Sequence, residues 1–594
     1  MTFRKIPLTF LILIAGTTCA YARRAPKYEQ TRKLTPEQTA VVQRAIAREK
    51  VLIRNIQLRT PIVETYIQDT RPDASLYEVP IDDHFMLSRI DFSKGFFDQS
   101  YTPRSEAAKR GFFKGSLGAI TDLTKALKLD THFTYNPLGF TEMMFIDPSG
   151  FDTRHYDFSY VRQEFLGSVK TWVFDVHPKA DVKGPGRFFG RIWIEDQGDN
   201  IVRFNGTYTN SSSEDTSHYY FHFDSWRMEV QPGVWLPVAV YVQESQRMEG
   251  GSSVGLKAQT YFWGYSLKLP TQQSENVNVM VENAVDQSNN SPDVGPLEAS
   301  RLWVEQAEDN VIDRLVQAGL VAPLTPGGYE QKVLDQIVTN LVVPNNLAFS
   351  EPVKCRVLLT ETVEATTVGY TILLSKGLLD TLPNEESIAS VIAMELAHIA
   401  LGHHIDTRYA FNDNLLFPDD AVFQRIDLGH SDADNTSAAK RAMQYLQNSM
   451  YKDELPTAGL YYEQLMQRAT ALKALNTPLL GDSLLQADGV PWMDALEHMA
   501  PPINWNNLNQ IPALPLGSWL KIDPWDDTVH MLDATRYAPM NASEKMPFEV
   551  TPIYYRLQPY EAANAAPATP ATVQPANGAA AAAGQAPAAA AQNQ

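Results

Sequence analysis

Five residues in the stretch NEESIASVIAMELAHIALGHHIDT, residues 384–407, have types and spacing suited to chemistry: Met394, Glu395, Leu396, Ala397 and His398. On a helix, positions four apart lie on one face. Two histidines at that spacing can hold one metal ion while the glutamate after the first acts as general base toward a bound water. Glu395 stands at the base position and His398 at the second imidazole, but Met394 stands where the first imidazole is needed. A thioether is a soft, neutral donor suited to copper(I) rather than zinc, so this motif leaves hydrolytic zinc short of a ligand.

The element that positions these residues is legible. Asn384 is a cap-competent residue, and Glu385 and Glu386 put acids in the first helical turn. His403 and His404 follow His398 by five and six positions. On a continuing helix they lie about 140° and 240° round from it, off its face, which predicts a pair that interacts with the last-turn carbonyls. Ahead of the helix, residues 355–359 and 369–375 have the apolar, β-branched composition of buried strands.

The chain has 594 residues, 44% of them hydrophobic and 20% charged, which implies several folded units. Its net charge of −19 argues against nucleic acid as a partner, because a phosphate backbone needs a basic surface. Two cysteines, Cys19 and Cys355, cannot supply a disulfide framework or a cysteine zinc site, and Cys355 is expected as a lone thiol buried in a strand. Arg4 and Lys5, the apolar run 7–16 and Ala20-Tyr21-Ala22 have the layout of a secretory leader, residues 1–22. Export to the periplasm or the extracellular space is therefore expected, with a lipid anchor at Cys19 as the lesser alternative.

Thr35-Pro36-Glu37-Gln38 predicts a capped helix to about residue 57, within an N-terminal helical segment 23–60. Residues 61–271 are largely β, with a helical break expected near 116–127. Runs at 173–176, 188–194, 201–208, 219–230 and 235–243 are separated by turn residues, which predicts sequential hairpins in one antiparallel sheet. Residues 272–294 have linker composition. A mainly helical domain is expected over 295–510 and a small β unit over 511–560. The Ala/Pro/Gln-rich tail 561–594 cannot build a core.

Strand CRVLLT, then Gly369-Tyr370-Thr371-Ile372 leading into Ser375-Lys376-Gly377-Leu378-Leu379, then the helix ending in Leu401-Gly402-His403-His404, together resemble the gluzincin metallopeptidases of the CAAX prenyl protease type, especially their exported bacterial members. The resemblance covers about a fifth of the chain. It implies an edge strand at Gly369, Tyr370, Thr371 and Ile372 that takes substrate as an added strand, Glu395 as general base, His398 as a zinc ligand, and a third ligand from a downstream E-x-x-A-D element. The better match to that element is Glu454-Leu455-Pro456-Thr457-Ala458; a second register, Asn435-Thr436-Ser437-Ala438-Ala439, loses the glutamate. Either register lacks the closing Asp, which orients the first histidine in the wider group. The loop residues His430 and Asp432 are possible substitute ligands. Residues 159–245 resemble the half-barrels of outer-membrane lipoprotein-sorting proteins, which implies a curved sheet with an apolar concavity.

The expected fold is thus α+β: an antiparallel, half-barrel-like β domain followed by a mainly helical metallopeptidase-like domain with a small edge sheet. The favoured function is a catalytically inactive pseudopeptidase, without cofactor, that binds a peptide or envelope protein. One alternative is an active zinc endopeptidase; another is a lipid- or lipoprotein-binding protein acting through its β domain.

Overall fold

A computed structural model describes residues 33–73, 77–92, 97–101, 140–148, 150–179, 187–208, 222–247, 253–267, 296–322, 329–404, 427–503, 520–522, 529–531 and 548–549. The expected leader, the helical break, the linker and the tail lie outside the described residues. Helix α1 (Pro36–Gln57) begins in a capping box: Gln38 N donates to Thr35 Oγ1 at 3.2 Å and Thr35 N donates to Gln38 Oε1 at 2.9 Å.

Ten antiparallel strands follow: β1 (Arg59–Asp73), β2 (Tyr77–Asp91), β3 (Phe97–Tyr101), β4 (Tyr156–Leu166), β5 (Val169–Pro178), β6 (Phe188–Glu195), β7 (Ile201–Tyr208), β8 (His222–Gln231), β9 (Val234–Arg247) and β10 (Ser253–Leu267). Their order is β3-β2-β1-β10-β9-β8-β7-β6-β5-β4, so β4 to β10 form a meander and the β1–β10 pairing joins its end to the first strands. The β6–β7 turn is built by Glu195, whose carboxylate accepts N–H groups from Gln197, Gly198 and Asn200 while Asp199 takes φ +57°. Arg44 of α1 reaches that turn and pairs with Asp199 at 2.6 Å.

Period-two alternation divides the two faces of this sheet. Ile192 and Ile194 pack with Phe174, Phe204, Phe223 and Leu236 against Val42, Ala45, Ile46 and Ile56 of α1. Trp193, between the two isoleucines, joins Trp226, Tyr66 and Tyr241 in a core continuous with the second domain. The apolar face that carries Ile192 and Ile194 is therefore packed by α1. A buried ion pair, Arg227 to Glu49 at 2.6 Å, ties α1 to β8.

The second domain comprises α2 (Pro296–Gln317), α3 (Tyr329–Val342), β11 (Lys354–Leu358), β12 (Glu364–Val368), β13 (Thr371–Ser375), α4 (Lys376–Thr381), α5 (Glu385–Leu401), α6 (Asp432–Gln447), α7 (Leu455–Arg468), β14 (Asp482–Ser483) and α8 (Asp494–Glu497). Its sheet runs β11-β13-β12-β14, with β11 and β13 parallel and the other pairs antiparallel. Cys355 lies in β11, fully buried, and burial pushes its thiol up to about 12. Further on, β15 (Leu520–Ile522) pairs with β16 (Val529–Met531) and β17 (Phe548–Glu549) in a separate antiparallel sheet. The chain is thus α+β, a large antiparallel sheet followed by a helical region with a small sheet.

Polar anchors join the two domains. Asp83 of β2 accepts the Ala474 and Leu475 N–H groups at 2.7 and 2.8 Å, and Glu64 of β1 accepts the Glu361 N–H at 2.7 Å. Burial raises the Asp83 carboxyl to about 6 against the opposing pull of these N–H donors. The folded chain then holds this proton more tightly than the unfolded chain, so the Asp83 contribution to stability grows as pH falls from about 6 toward 4, by up to about 3 kcal/mol. Denaturant midpoints of wild type and Asp83→Asn, compared at pH 4 and pH 7, should show the variant gaining on wild type at pH 7. A pH-independent difference would contradict this assignment.

Candidate functional site

Helix α5 carries the motif. Asn384 caps it by accepting the Ser387 N–H at 3.0 Å, and Gly402 ends it at φ +70°. Residues 389–398 are all buried, because α3, α6, α7 and the small sheet surround the helix. A helix apolar on all sides suits such a central place.

Glu395 is 2% exposed, and its Oε2 accepts the Thr367 hydroxyl of β12 at 2.7 Å. Burial raises its carboxyl to about 7, against the pull of His430. His398 is fully buried, and desolvation, reinforced by the His430 and His403 rings, lowers its imidazole to about 3. Met394 is 4% exposed and lies one turn ahead of His398.

Three histidines gather here, two of them placed by chain reversals. The left-handed turn at Gly402 ends the helix, so the projected angles do not apply past Leu401, and His403 Nδ1 comes to 3.0 Å from His398 Nδ1. The loop before α6 folds back as well: the His430 ring stacks on His398 with centroids 3.9 Å apart, while His403 stands 6.4 Å from His430. His404 lies apart, 3.3 Å from Glu308.

The other expected ligands separate. Asp432 is exposed at the start of α6. Glu454 is exposed at the turn before α7, whereas Asn435 of α6 is 3% exposed and acts on His398. Packing of α6 along α5 places the second register, not the preferred Glu454 register, beside the histidines. Asp482 was not singled out in the sequence. It accepts from His430 Nδ1 at 2.7 Å, from the His430 N–H at 2.9 Å and from Asn435 Nδ2 at 3.2 Å. No local pattern marks it; its role comes from the two-residue strand β14.

The expected substrate edge is also displaced. Thr371 and Ile372 belong to β13, which is flanked by β11 and β12, and Gly369, at φ +58°, and Tyr370 form the turn before it. The strand beside Glu395 is β12, and β14 pairs along its outer side through Glu364↔Ser483 and Ala365↔Asp482. Next to that pairing, Thr366 Oγ1 donates to Leu428 O at 2.5 Å and Leu428 N donates to Leu480 O at 2.8 Å.

Residues 330–448 match the model of peptidase family M48, which makes this region metallopeptidase-like. The match includes α5 and Asn435 and ends before Glu454. No curated protein matches the chain. Among solved structures, a LolA superfamily protein from Nitrosomonas europaea is similar at 11% identity and a TM-score of 0.21, covering 40% of this chain and 95% of that one. Among the described residues, no helix is long and apolar enough to cross a membrane.

A zinc ion of the kind the family implies needs two imidazoles from α5 and a carboxylate from the following helix. Beside His398 the chain carries Met394 one turn earlier on α5 and Asn435 on α6, two neutral side chains with one imidazole, a set that does not fit zinc.

Proposed function

We propose that the chain is an exported relative of the CAAX prenyl protease type whose metallopeptidase-like domain no longer performs zinc hydrolysis and serves as a binding scaffold for peptides or envelope proteins. The observation that carries this reading is the donor set: neutral Met394 and Asn435 stand where two ligands would be needed, and Glu395 Oε2 accepts the Thr367 hydroxyl. Exposed Glu454 lends no support to an active zinc site. β14 pairs with Glu364 and Ala365 at the start of β12, which confines any client strand along that edge to the residues beyond them.

Protein purified without added metal is expected to contain far less than one zinc per chain. It should cleave no unstructured polypeptide, and Glu395→Gln should leave that result unchanged. Stoichiometric zinc together with cleavage abolished by Glu395→Gln would overturn the reading.

A further inference from the structure

On the β1–β2 pair, Asp69, Asp82 and His84 each bring one ligand-type atom to within 4.8 Å of the other two. Strand register places them. Asp69 of β1 stands directly opposite Asp82 of β2, and His84 follows two residues along β2 on the same face. Just beyond, Thr70 faces Pro80, so Ile81 is an extra residue and β2 bulges immediately before Asp82. A bulge re-aims the side chains beside it. Two like charges directly opposite in an antiparallel pair repel, and a cation between them turns that repulsion into attraction. The nearest side-chain atoms are spaced around a gap rather than bonded: His84 Nε2 lies 3.7 Å from Asp69 Oδ2 and 4.0 Å from Asp82 Oδ2, beyond hydrogen-bond range. Donors about 2.0–2.2 Å from a tetrahedral zinc ion stand roughly 3.4 Å apart, so closing this set takes shifts of a few tenths of an ångström. Asp82 is already oriented, because its Oδ1 accepts the Asp83 N–H at 3.0 Å while Oδ2 is the oxygen nearer His84.

We propose that Asp69, Asp82 and His84 form a zinc(II) site of three protein ligands completed by water. One imidazole and two carboxylate oxygens are donors that zinc accepts, and two carboxylates match the charge of a divalent ion. Side-chain exposure rises from 13% at Asp69 to 36% at His84 and 59% at Asp82, which leaves the open side of the site to water. All three residues lie outside the region matched by the peptidase family, so the site is independent of whether the α5 region hydrolyses peptides. A site open to water and one ligand short of a closed structural zinc site fills when zinc is supplied and does not keep the ion through purification.

The test is titration of the metal-stripped full chain with zinc(II) against the fluorescent chelator mag-fura-2. One zinc per chain should be withheld from the chelator. His84→Ala and Asp69→Asn should each weaken retention at least about tenfold, since even the loss of a group that supports a metal ligand costs roughly 10- to 100-fold. The zinc X-ray absorption spectrum of the wild-type chain should show a single imidazole among oxygen donors and no sulfur. Circular dichroism checks that the variants fold. No retention by the wild type would overturn the proposal and leave protonated His84 to balance the two carboxylates. Equal retention by the folded variants would mean adventitious zinc only, and a spectrum with two or more imidazoles would place the ion at the α5 histidines; either result overturns the proposal. The wild-type spectrum decides if the variants do not fold. His84→Ala also provides the background in which zinc uptake at α5 is read alone, so failure here leaves the reading of α5 intact.

Discussion

Met394→His combined with Asn435→Glu is expected to convert the chain into a stoichiometric zinc binder. The substitutions would place two imidazoles four residues apart on α5 and a carboxylate on α6, whose packing against α5 already brings position 435 beside His398. Without metal the variant should be less stable than wild type, because the new carboxylate is buried near Glu395 and Asp482. Zinc should reverse that loss: a ligand at a hundred times its dissociation constant stabilises by about 2.7 kcal/mol, which thermal unfolding with and without zinc would read. Met394→His alone, with Glu454 untouched, is the discriminating control. If the single variant takes up as much zinc as the double one, a carboxylate at position 435 is not needed and the third ligand is another residue, Glu454 or His430.

Glu364→Ala should produce the largest loss of stability among single substitutions in the small sheet. Glu364 is 1% exposed. Its Oε2 accepts the N–H groups of Leu479, Leu480 and Gly481 at 3.0, 2.8 and 2.8 Å, and its Oε1 accepts the Thr360 and Thr362 hydroxyls. Removing the carboxylate strands several buried donors, each costing about 1–3 kcal/mol, so a total on the order of 4 kcal/mol or more is expected. The loss should be local first. Hydrogen exchange at 479–483 should rise well before global unfolding, since β14 is held to β12 by only two residue pairs and this carboxylate. Unchanged exchange there, with a shift in unfolding free energy below about 1 kcal/mol, would show that β14 is fastened by other contacts.

This strand also alters what the metallopeptidase-like domain can do. In an edge-addition mode of recognition, an extended peptide satisfies the free N–H and C=O groups of a strand beside the active helix. Here β12 is that strand; β14 pairs with its first two residues, Glu364 and Ala365, and the Thr366 hydroxyl donates to Leu428 O beside them. The same strand carries Asp482, which clasps His430 over His398. The strand that narrows this edge thus also holds the histidine, and loosening β14 should disturb both.

Elements with local signals were legible without coordinates. Thr35, Pro36 and Gln38 define a capping box through contacts within one turn, Asn384 caps α5 in the same way, and strands β5 to β9 follow runs of β-branched and aromatic residues. Met394, Glu395 and His398 at their spacing on α5, and Cys355 in a buried strand, are read directly from residue order. What depended on distant parts of the chain was not legible. The spacing of Glu454 fitted the third ligand better, yet helix packing brings Asn435 to His398. Helical angles excluded His403 until a left-handed glycine reversed the chain, and Gly369 to Ile372 looked like an edge until β11 and β12 flanked β13. Residue order determined which groups α5 carries and that a methionine stands four residues before His398. Tertiary structure decided which of those groups meet, because His430, Asn435 and Asp482 reach His398 only through loop return, helix packing and a two-residue strand, none of which has a period or a local hydrogen bond to reveal it.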